Sequence, residues 1–203
     1  MLDLIKKNYE EKKEVIRNRL NDFKKVKEDD EDIFYELCFC LLTPQSSAKT
    51  ADKCIRSLRE RNFYSSKMFN PAKLITGIRF HNNKAKYLIE AKETFTIINK
   101  KIDEIKDNRE LRAWLVDNVK GLGWKESGHF LRNIGYRGLA ILDRHILKNL
   151  HKAGVINEVP KSLTKSTYFD IENKFLSFSH KIGIDMDELD LLFWSMETGE
   201  IFK

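Results

Sequence analysis

Residues 115–147 read LVDNVKGLGWKESGHFLRNIGYRGLAILDRHIL, and this stretch decides the fold. Two apolar patterns with helical spacing, at residues 108–119 and 124–134, meet in this stretch and are separated by a G-x-G sequence at 121–123. Glycine adopts backbone conformations closed to other residues, so the pattern predicts two helices joined by a tight hairpin turn. Gly135 is typical of the residue that ends such a second helix.

The rest of the chain also predicts helices, and it contains no alternating strand pattern of any length. The predicted helices cover residues 3–27, 28–43, 46–61, 71–77, 82–98, 143–153, 167–183 and 187–197. The second of these is so apolar toward its end that we expect it to be buried on all sides. The fold class predicted from the sequence is therefore all-α.

The composition excludes several protein classes. The chain has 203 residues, 41% of them apolar, which is enough for one globular unit or two packed lobes. It contains no apolar run of about 18 residues and no N-terminal signal pattern, so we expect neither a membrane span nor secretion. Cys38, Cys40 and Cys54 lie in apolar helical segments. We therefore expect reduced thiols in an intracellular setting, with no disulfide framework and no metal or other cofactor site.

The charge is distributed unevenly along the chain. The net charge is +6 overall, but residues 1–165 carry +11 and residues 166–203 carry −5. A basic body with an acidic tail fits a protein that has a phosphate-binding surface and one region that makes no contact with phosphate. A lysine-rich proteome would give the same numbers, so the charge alone leaves both interpretations open.

The hairpin is also a candidate anion site. The helix that follows the turn begins directly on it, and its first N–H groups and positive dipole end point outward. Lys120 and Lys125 flank the turn. In a basic protein, a backbone phosphate of nucleic acid is the natural ligand, and such a contact is independent of sequence. An ordinary turn between two helices remains the alternative for this motif.

Lys125 and Asp143 suggest a reaction. A lysine on one helix and an acid at the start of the next can converge on one pocket. The neutral amine can attack C1′ of a nucleotide and displace the base, leaving a Schiff base. A nearby carboxylate can accept a proton or stabilise positive charge on the sugar. The alternatives are a solvated surface lysine and a plain helix N-cap.

These residues resemble the helix–hairpin–helix–GPD superfamily of base-excision DNA glycosylases. Besides residues 115–147, the resemblance rests on FCLLTPQSSAKTADK at 39–53 and GIRFHNNKAKYLIEA at 77–91. The chain is similar over essentially its whole length to the short type-2 8-oxoguanine DNA glycosylase/AP lyases of archaea and some bacteria. LDLLFWSMETGEIFK at 189–203 matches the end of that subfamily, including a final lysine.

The resemblance implies catalytic roles for Lys125 and Asp143. Lys125 would be the nucleophile that releases the base and then drives β-elimination at the abasic site. Asp143 would be the supporting acid, and Lys203 would recognise the flipped 8-oxoguanine. The absence of any cysteine after Cys54 separates the chain from the iron–sulfur branch, and Lys125 separates it from members that only remove adenine.

The resemblance also implies contacts with the base and the DNA. Phe80 and Trp194 are the candidates to sandwich the flipped base, and His129 would border its pocket. Gln45 is the candidate wedge beside the orphaned base. Lys84, Lys120, Gly121 and Gly123 would contact phosphate. Core packing remains the alternative for the two aromatic residues, a backbone hydrogen bond for the histidine, and a turn position for the glutamine.

The function predicted from the sequence is excision of 8-oxoguanine from double-stranded DNA followed by incision of the abasic site. The same chemistry on another oxidised base, such as a pyrimidine, and a non-catalytic DNA-binding module are the alternatives. We expect two helical lobes flanking a DNA-binding cleft, one formed by residues 35–135 and the other by 1–34 with 136–203. We also expect a monomer that does not bind membranes and acts in the cytoplasm, associated with the nucleoid of a prokaryote.

Overall fold

A computed structural model describes residues 1–67 and 69–203 and confirms the all-α prediction for them. Over these ranges the chain forms nine α-helices and one short 3₁₀ helix, without a β-strand. The helices are α1 (Leu2–Val26), α2 (Asp30–Leu42), α3 (Ala48–Glu60), α4 (His81–Glu104), α5 (Asn108–Asn118), α6 (Trp124–Asn133), α7 (Arg144–Lys152), α8 (Lys165–Ile182) and α9 (Met186–Thr198). None of the helices in the described ranges is both long and apolar enough to cross a membrane.

Two predicted helices differ from the observed ones. The helix predicted at 71–77 is a 3₁₀ helix, Pro71–Leu74, because the chain turns after it to bury Ile75 and Ile78. The helix predicted at 82–98 continues to Glu104 as α4. Its last turns are polar apart from Ile102, which is buried and extends the apolar stripe of the helix.

The chain divides into two compact units. The hairpin unit comprises residues 26–130, and the terminal unit comprises residues 1–25 with 131–203. Both boundaries lie earlier in the chain than those predicted from the sequence, and the second lies within α6.

The core of the hairpin unit is built around α2. Every residue from Ile33 to Leu42 is buried, which confirms the expectation of a helix covered on all sides. Asp29 caps the helix by accepting a hydrogen bond from the Asp32 N–H at 3.0 Å. The helix packs mainly against α4 and α3.

The core of the terminal unit is formed by α7, α8 and α9 together with the apolar face of α1. Phe175 and Phe193 stack at the centre with their ring centroids 6.0 Å apart. Arg132 and Asp190 form a buried ion pair, and the Arg132 guanidinium lies 5.3 Å from the Phe23 ring. Because these groups belong to different helices, the ion pair fixes the register of the packing.

Candidate active site and nucleic-acid interface

The hairpin predicted at 121–123 is present between α5 and α6. It begins with a turn in which the Leu122 N–H donates to the Val119 carbonyl at 3.1 Å, and Leu122 is buried. Gly121 has a φ of +95°, and a Cβ on this residue would lie 2.6 Å from Cδ2 of Tyr87. Glycine is therefore required at Gly121 both for its backbone conformation and for the space against α4.

The start of α6 directs hydrogen-bond donors out of the hairpin. The first bond along the helix runs from the Ser127 N–H to the Gly123 carbonyl at 2.9 Å, so the N–H groups of the first turn precede the helical pattern. Lys120 is exposed beside this turn and lies 3.8 Å from Glu90. A helix N-terminus with an exposed cation is suited to an anionic group such as phosphate.

Lys125 lies in the first turn of α6 and is partly exposed. Its Nζ is 3.0 Å from Oε1 of Glu126, a neighbour whose side chain is mostly buried. The ion pair places the amine beside the carboxylate of Glu126. Sequence reasoning did not single out Glu126, because adjacent charges on a helix carry no signal for a contact of this kind.

His129 lies one turn beyond Lys125, as predicted, and is buried. Its ring meets Phe39 of α2 edge to face, with the centroids 5.7 Å apart and the planes at 81°. This packing orients the first turns of α6 against the core of the hairpin unit. A role at the border of a base pocket stays a prediction.

Lys84 is placed differently from what a phosphate contact requires. It is only 5% exposed, and its Nζ donates to the carbonyls of Leu42 and Pro44 at 2.7 and 2.6 Å and to Oγ of Ser46 at 3.3 Å. Burial lowers the pKa of Lys84 to about 8. Since an ammonium group has three donors and the protein uses all of them, Lys84 is not retained among the phosphate-contacting residues.

Gln45 and Phe80 share an unusual backbone conformation. Both lie in the left-handed region, with φ values of 55° and 59°, and both side chains are exposed. Phe80 is 54% exposed, and the Arg79 guanidinium lies 5.0 Å from the centre of its ring. Residues other than glycine adopt this conformation when the surroundings enforce it, often at binding sites. Exposure removes core packing as an explanation for Phe80.

Asp143 is the N-cap of α7, in the terminal unit. Its Oδ1 accepts hydrogen bonds from the N–H groups of His145 and Ile146, each at 2.8 Å. Both donors use the same oxygen, which leaves Oδ2 as the atom that could take part in a reaction. Lys125 belongs to the hairpin unit, so the convergence of the two side chains stays a prediction.

Two buried side chains of α8 hold the segment that leads to Asp143. Tyr168 donates its hydroxyl proton to the Ala140 carbonyl at 2.5 Å, and Oε2 of Glu172 accepts from the Ala140 N–H at 2.9 Å. Both side chains are buried. They fix the backbone three residues before Asp143, and sequence reasoning did not single them out.

Trp194 and Phe202 form a stacked pair in the terminal unit. Their centroids are 6.5 Å apart and their planes differ by 29°. The pair forms because Gly199 ends α9 in a left-handed conformation, after which the chain turns back. Lys203 follows this pair directly. Glu197 accepts from Lys148 and Lys152 at 2.6 and 3.1 Å, which joins the helix capped by Asp143 to the helix that carries Trp194.

The structure also locates the second glycine of the hairpin and the three cysteines. Among the described residues, the only atom close to a Cβ built on Gly123 is Oε2 of Glu126, at 3.1 Å. The phosphate contacts of Lys120, Gly121 and Gly123 stay predictions. Cys38, Cys40 and Cys54 are buried free thiols. Across residues 1–67 and 69–203, three or more His, Cys, Asp or Glu side chains nowhere come together in a way that could hold a metal ion.

Comparison with known proteins places these features in a family. The profile of the family Ogg-HhH, described as 8-oxoguanine DNA glycosylase, matches residues 16–184. The 8-oxoguanine DNA glycosylase/AP lyase of Fusobacterium nucleatum is 43% identical over 208 aligned positions, covering 98% of this chain and 96% of the relative.

Solved structures of 8-oxoguanine DNA glycosylases have the same fold as this chain. The crystal structure of the Methanocaldococcus jannaschii 8-oxoguanine glycosylase/lyase in complex with a 15mer DNA containing 8-oxoguanine has a TM-score of 0.87 at 34% identity, covering 98% of this chain and 99% of that chain. The 8-oxoguanine DNA glycosylase of Thermotoga maritima also has a TM-score of 0.87, at 31% identity, covering 100% of this chain and 98% of that chain. With its hairpin, its lysine at the start of α6 and matches of this extent, the chain belongs to the 8-oxoguanine DNA glycosylase family.

Proposed function

We propose that this chain is a base-excision repair enzyme that removes 8-oxoguanine from double-stranded DNA and then incises the resulting abasic site. The observation that carries the proposal is the position of Lys125, a partly exposed amine in the first turn of α6, directly behind the glycine hairpin. Membership of the family supports the choice of 8-oxoguanine over another oxidised base and over a non-catalytic DNA-binding role.

The hairpin positions the DNA strand. A backbone phosphate accepts hydrogen bonds from the first N–H groups of α6, and Lys120 adds a positive charge beside it. These contacts carry no sequence information, which suits an enzyme that must act wherever the damage occurs. The net charge of +11 over residues 1–165 supports the same interaction on a larger scale.

The first chemical step releases the base. Nζ of Lys125, in its neutral form, forms a bond to C1′ of the damaged nucleotide while the C1′–N9 bond breaks. The departing base carries away the bonding electron pair and takes up a proton, and Nζ, which becomes positively charged on bonding to C1′, gives up one proton to balance it. Asp143 stabilises the positive charge that develops on the sugar through Oδ2, the oxygen not used by the helix cap.

The second step incises the strand. The sugar ring opens to give a Schiff base between Nζ and C1′, which makes the protons on C2′ acidic. Loss of one of them expels the 3′ phosphate by β-elimination. Water then hydrolyses the Schiff base, which restores the amine and leaves an unsaturated aldehyde on the 3′ end.

Base recognition uses aromatic side chains. Phe80 and Trp194 are the residues that we propose to stack on a flipped base. Lys203 offers an ammonium donor and a carboxylate acceptor to the edge of the purine, and His129 borders the pocket. The exposure of Phe80 and the stacking of Trp194 on Phe202, next to Lys203, support these assignments.

The proposed function also assigns a partner and a location to the enzyme. The partner is double-stranded DNA that contains oxidised guanine, bound by one copy of the chain without a metal or organic cofactor. The enzyme acts in the cytoplasm, where the nucleoid of a prokaryote presents its substrate.

The test is strand incision under single-turnover conditions. Four labelled duplexes are compared, each with one defined site: 8-oxoguanine, guanine, an oxidised pyrimidine or an abasic site. The proposal predicts β-elimination products from the 8-oxoguanine and abasic duplexes only. Incision of the pyrimidine duplex in preference to the 8-oxoguanine duplex would refute the substrate assignment, and incision of none would refute catalysis.

A further inference from the structure

The buried ammonium group of Lys84 connects two loops that carry Gln45, the candidate wedge, and Phe80, the candidate stacking residue. The first is the turn after α2, residues 43–47, which carries Gln45. The second is the turn before α4, residues 77–80, which ends at Phe80. We define the clasp as Nζ of Lys84 and Oγ of Ser46 together with the backbone groups that they contact.

Lys84 fixes the first loop by donating to two backbone carbonyls. It donates to the carbonyl of Leu42, the last residue of α2, at 2.7 Å and to that of Pro44 at 2.6 Å. A cation at a helix C-terminus is favourable, because the last carbonyls have no acceptor role within the helix. The next residue is Gln45, whose left-handed backbone needs support of this kind.

Ser46 joins the second loop to the first. Its Oγ accepts from the Arg79 N–H at 3.1 Å and is 3.3 Å from Nζ of Lys84. Arg79 immediately precedes Phe80, the N-cap residue of α4, whose backbone is left-handed and whose side chain forms no cap hydrogen bond. One hydroxyl therefore ties together the backbones that present the candidate wedge and the candidate stacking residue.

We propose that Lys84 and Ser46 are positioning residues that hold Gln45 and Phe80 in the arrangement that extracts a damaged base from the duplex. This inference rests on the proposed function. Extraction requires a wedge and a stacking surface at the same moment, because the base must leave the helical stack and be held outside it. The clasp provides that coupling, since neither loop can shift without breaking hydrogen bonds to the buried ammonium or to the hydroxyl.

Loss of the clasp should affect two substrates differently, whereas loss of a residue that only stabilises the fold should affect both equally. An intact 8-oxoguanine has to be extracted before it reacts, whereas an abasic site has no base to extract. Loss of the clasp should therefore slow excision of 8-oxoguanine much more than incision of an abasic site. A residue that only stabilised the fold would slow both reactions together.

The experiment compares single-turnover rates on two duplexes, one with 8-oxoguanine and one with an abasic site. The variants are Ser46→Ala, which removes only the hydroxyl, and Lys84→Met, which keeps an unbranched stem but removes the ammonium. The matched control is Lys86→Met, an exposed lysine on the same helix. A duplex with 2-aminopurine beside the lesion reports base opening by fluorescence.

We expect Ser46→Ala and Lys84→Met to slow 8-oxoguanine excision at least tenfold and abasic-site incision less than threefold, with a smaller fluorescence rise on binding. Lys86→Met should leave the ratio of the two rates unchanged. Equal losses of rate on both substrates, or Ser46→Ala rates equal to those of the parent protein, would overturn the proposed role of the clasp. If Lys84→Met does not fold, Ser46→Ala decides alone. An unaltered protein that cuts neither duplex would refute the proposed function instead.

Discussion

Replacing Gly121 by alanine should damage the hairpin in two separable ways. The backbone there has a φ of +95°, which costs a residue with a Cβ about 1–2 kcal/mol. The new Cβ would also lie 2.6 Å from Cδ2 of Tyr87 and 3.1 Å from Cδ2 of Leu41, which is buried. Cδ2 of Tyr87 belongs to an aromatic ring and is not the free end of a flexible side chain, so the ring or the hairpin must move.

The size of the effect follows from these two contributions. Forced repacking of this kind typically costs about 1–3 kcal/mol, so the total loss in the free energy of unfolding is about 3 kcal/mol. In a chain of this size that corresponds to a fall in Tm of roughly 6–12 °C. DNA affinity should fall about tenfold, because the shifted turn misdirects the first N–H groups of α6.

The assay is thermal unfolding together with DNA titration below the transition, and Gly138→Ala is the control. Gly138 also has a positive φ, +78°, but nothing lies within 4 Å of its Cβ position. It should therefore show only the backbone cost of about 1–2 kcal/mol. A Gly121→Ala protein that melts no lower than Gly138→Ala would refute the packing argument.

Three further predictions concern the terminal unit. Asp143→Asn should preserve α7, because asparagine caps a helix as well as aspartate does, while base release slows at least a hundredfold; comparable rates with an unchanged Tm would reduce Asp143 to a cap. Trp194→Ala should slow 8-oxoguanine excision more than abasic-site incision, and equal losses would instead indicate that Trp194 only packs against Phe202. Burial raises the pKa of Asp187 from 3.8 to about 6. The contribution of its protonated form to the free energy of unfolding is therefore fully present below about pH 4 and is lost as the pH rises through about 6. Between about pH 4 and pH 6, the free energy of unfolding of Asp187→Asn should therefore rise relative to that of the parent protein by on the order of 3 kcal/mol, measured by chemical denaturation. A difference between the two proteins that does not change with pH would contradict this.

The fold was largely predictable, because helix periodicity and end signals are local properties of the sequence. The hairpin and the buried α2 could be recognised from glycine placement and apolar density. The end of α4 was missed because residues 99–104 are nearly all polar, and a single buried Ile102 continues the stripe. The length of the 3₁₀ helix at Pro71–Leu74 depends on how Ile75 packs, which sequence periodicity does not show.

The site was predictable only where chemistry requires a particular residue type. Lys125 and Asp143 stand out because an amine and an acid have defined roles in base release. Tyr168 and Glu172 do not, since they act on a backbone segment about 30 residues earlier in the chain, through contacts that only the folded unit creates.

Lys84 did carry a usable signal. It lies on the same helical stripe as Leu88, Ala91 and Phe95, all buried, so its position indicates a buried lysine. The family resemblance implied a phosphate contact for Lys84, and only the structure supplied the carbonyl acceptors that explain its burial.

The central claim is that Nζ of Lys125 forms the covalent bond to the damaged nucleotide. Borohydride reduction during the reaction converts a Schiff base into a stable adduct, and peptide mass spectrometry locates the modified residue. The control variant is Lys7→Gln, which replaces an exposed lysine on α1. Both this variant and the parent protein should be trapped on an 8-oxoguanine duplex, with the adduct on Lys125. Lys125→Gln should give no adduct while still binding the duplex. An adduct on another lysine, or trapping that persists in Lys125→Gln, would contradict the account.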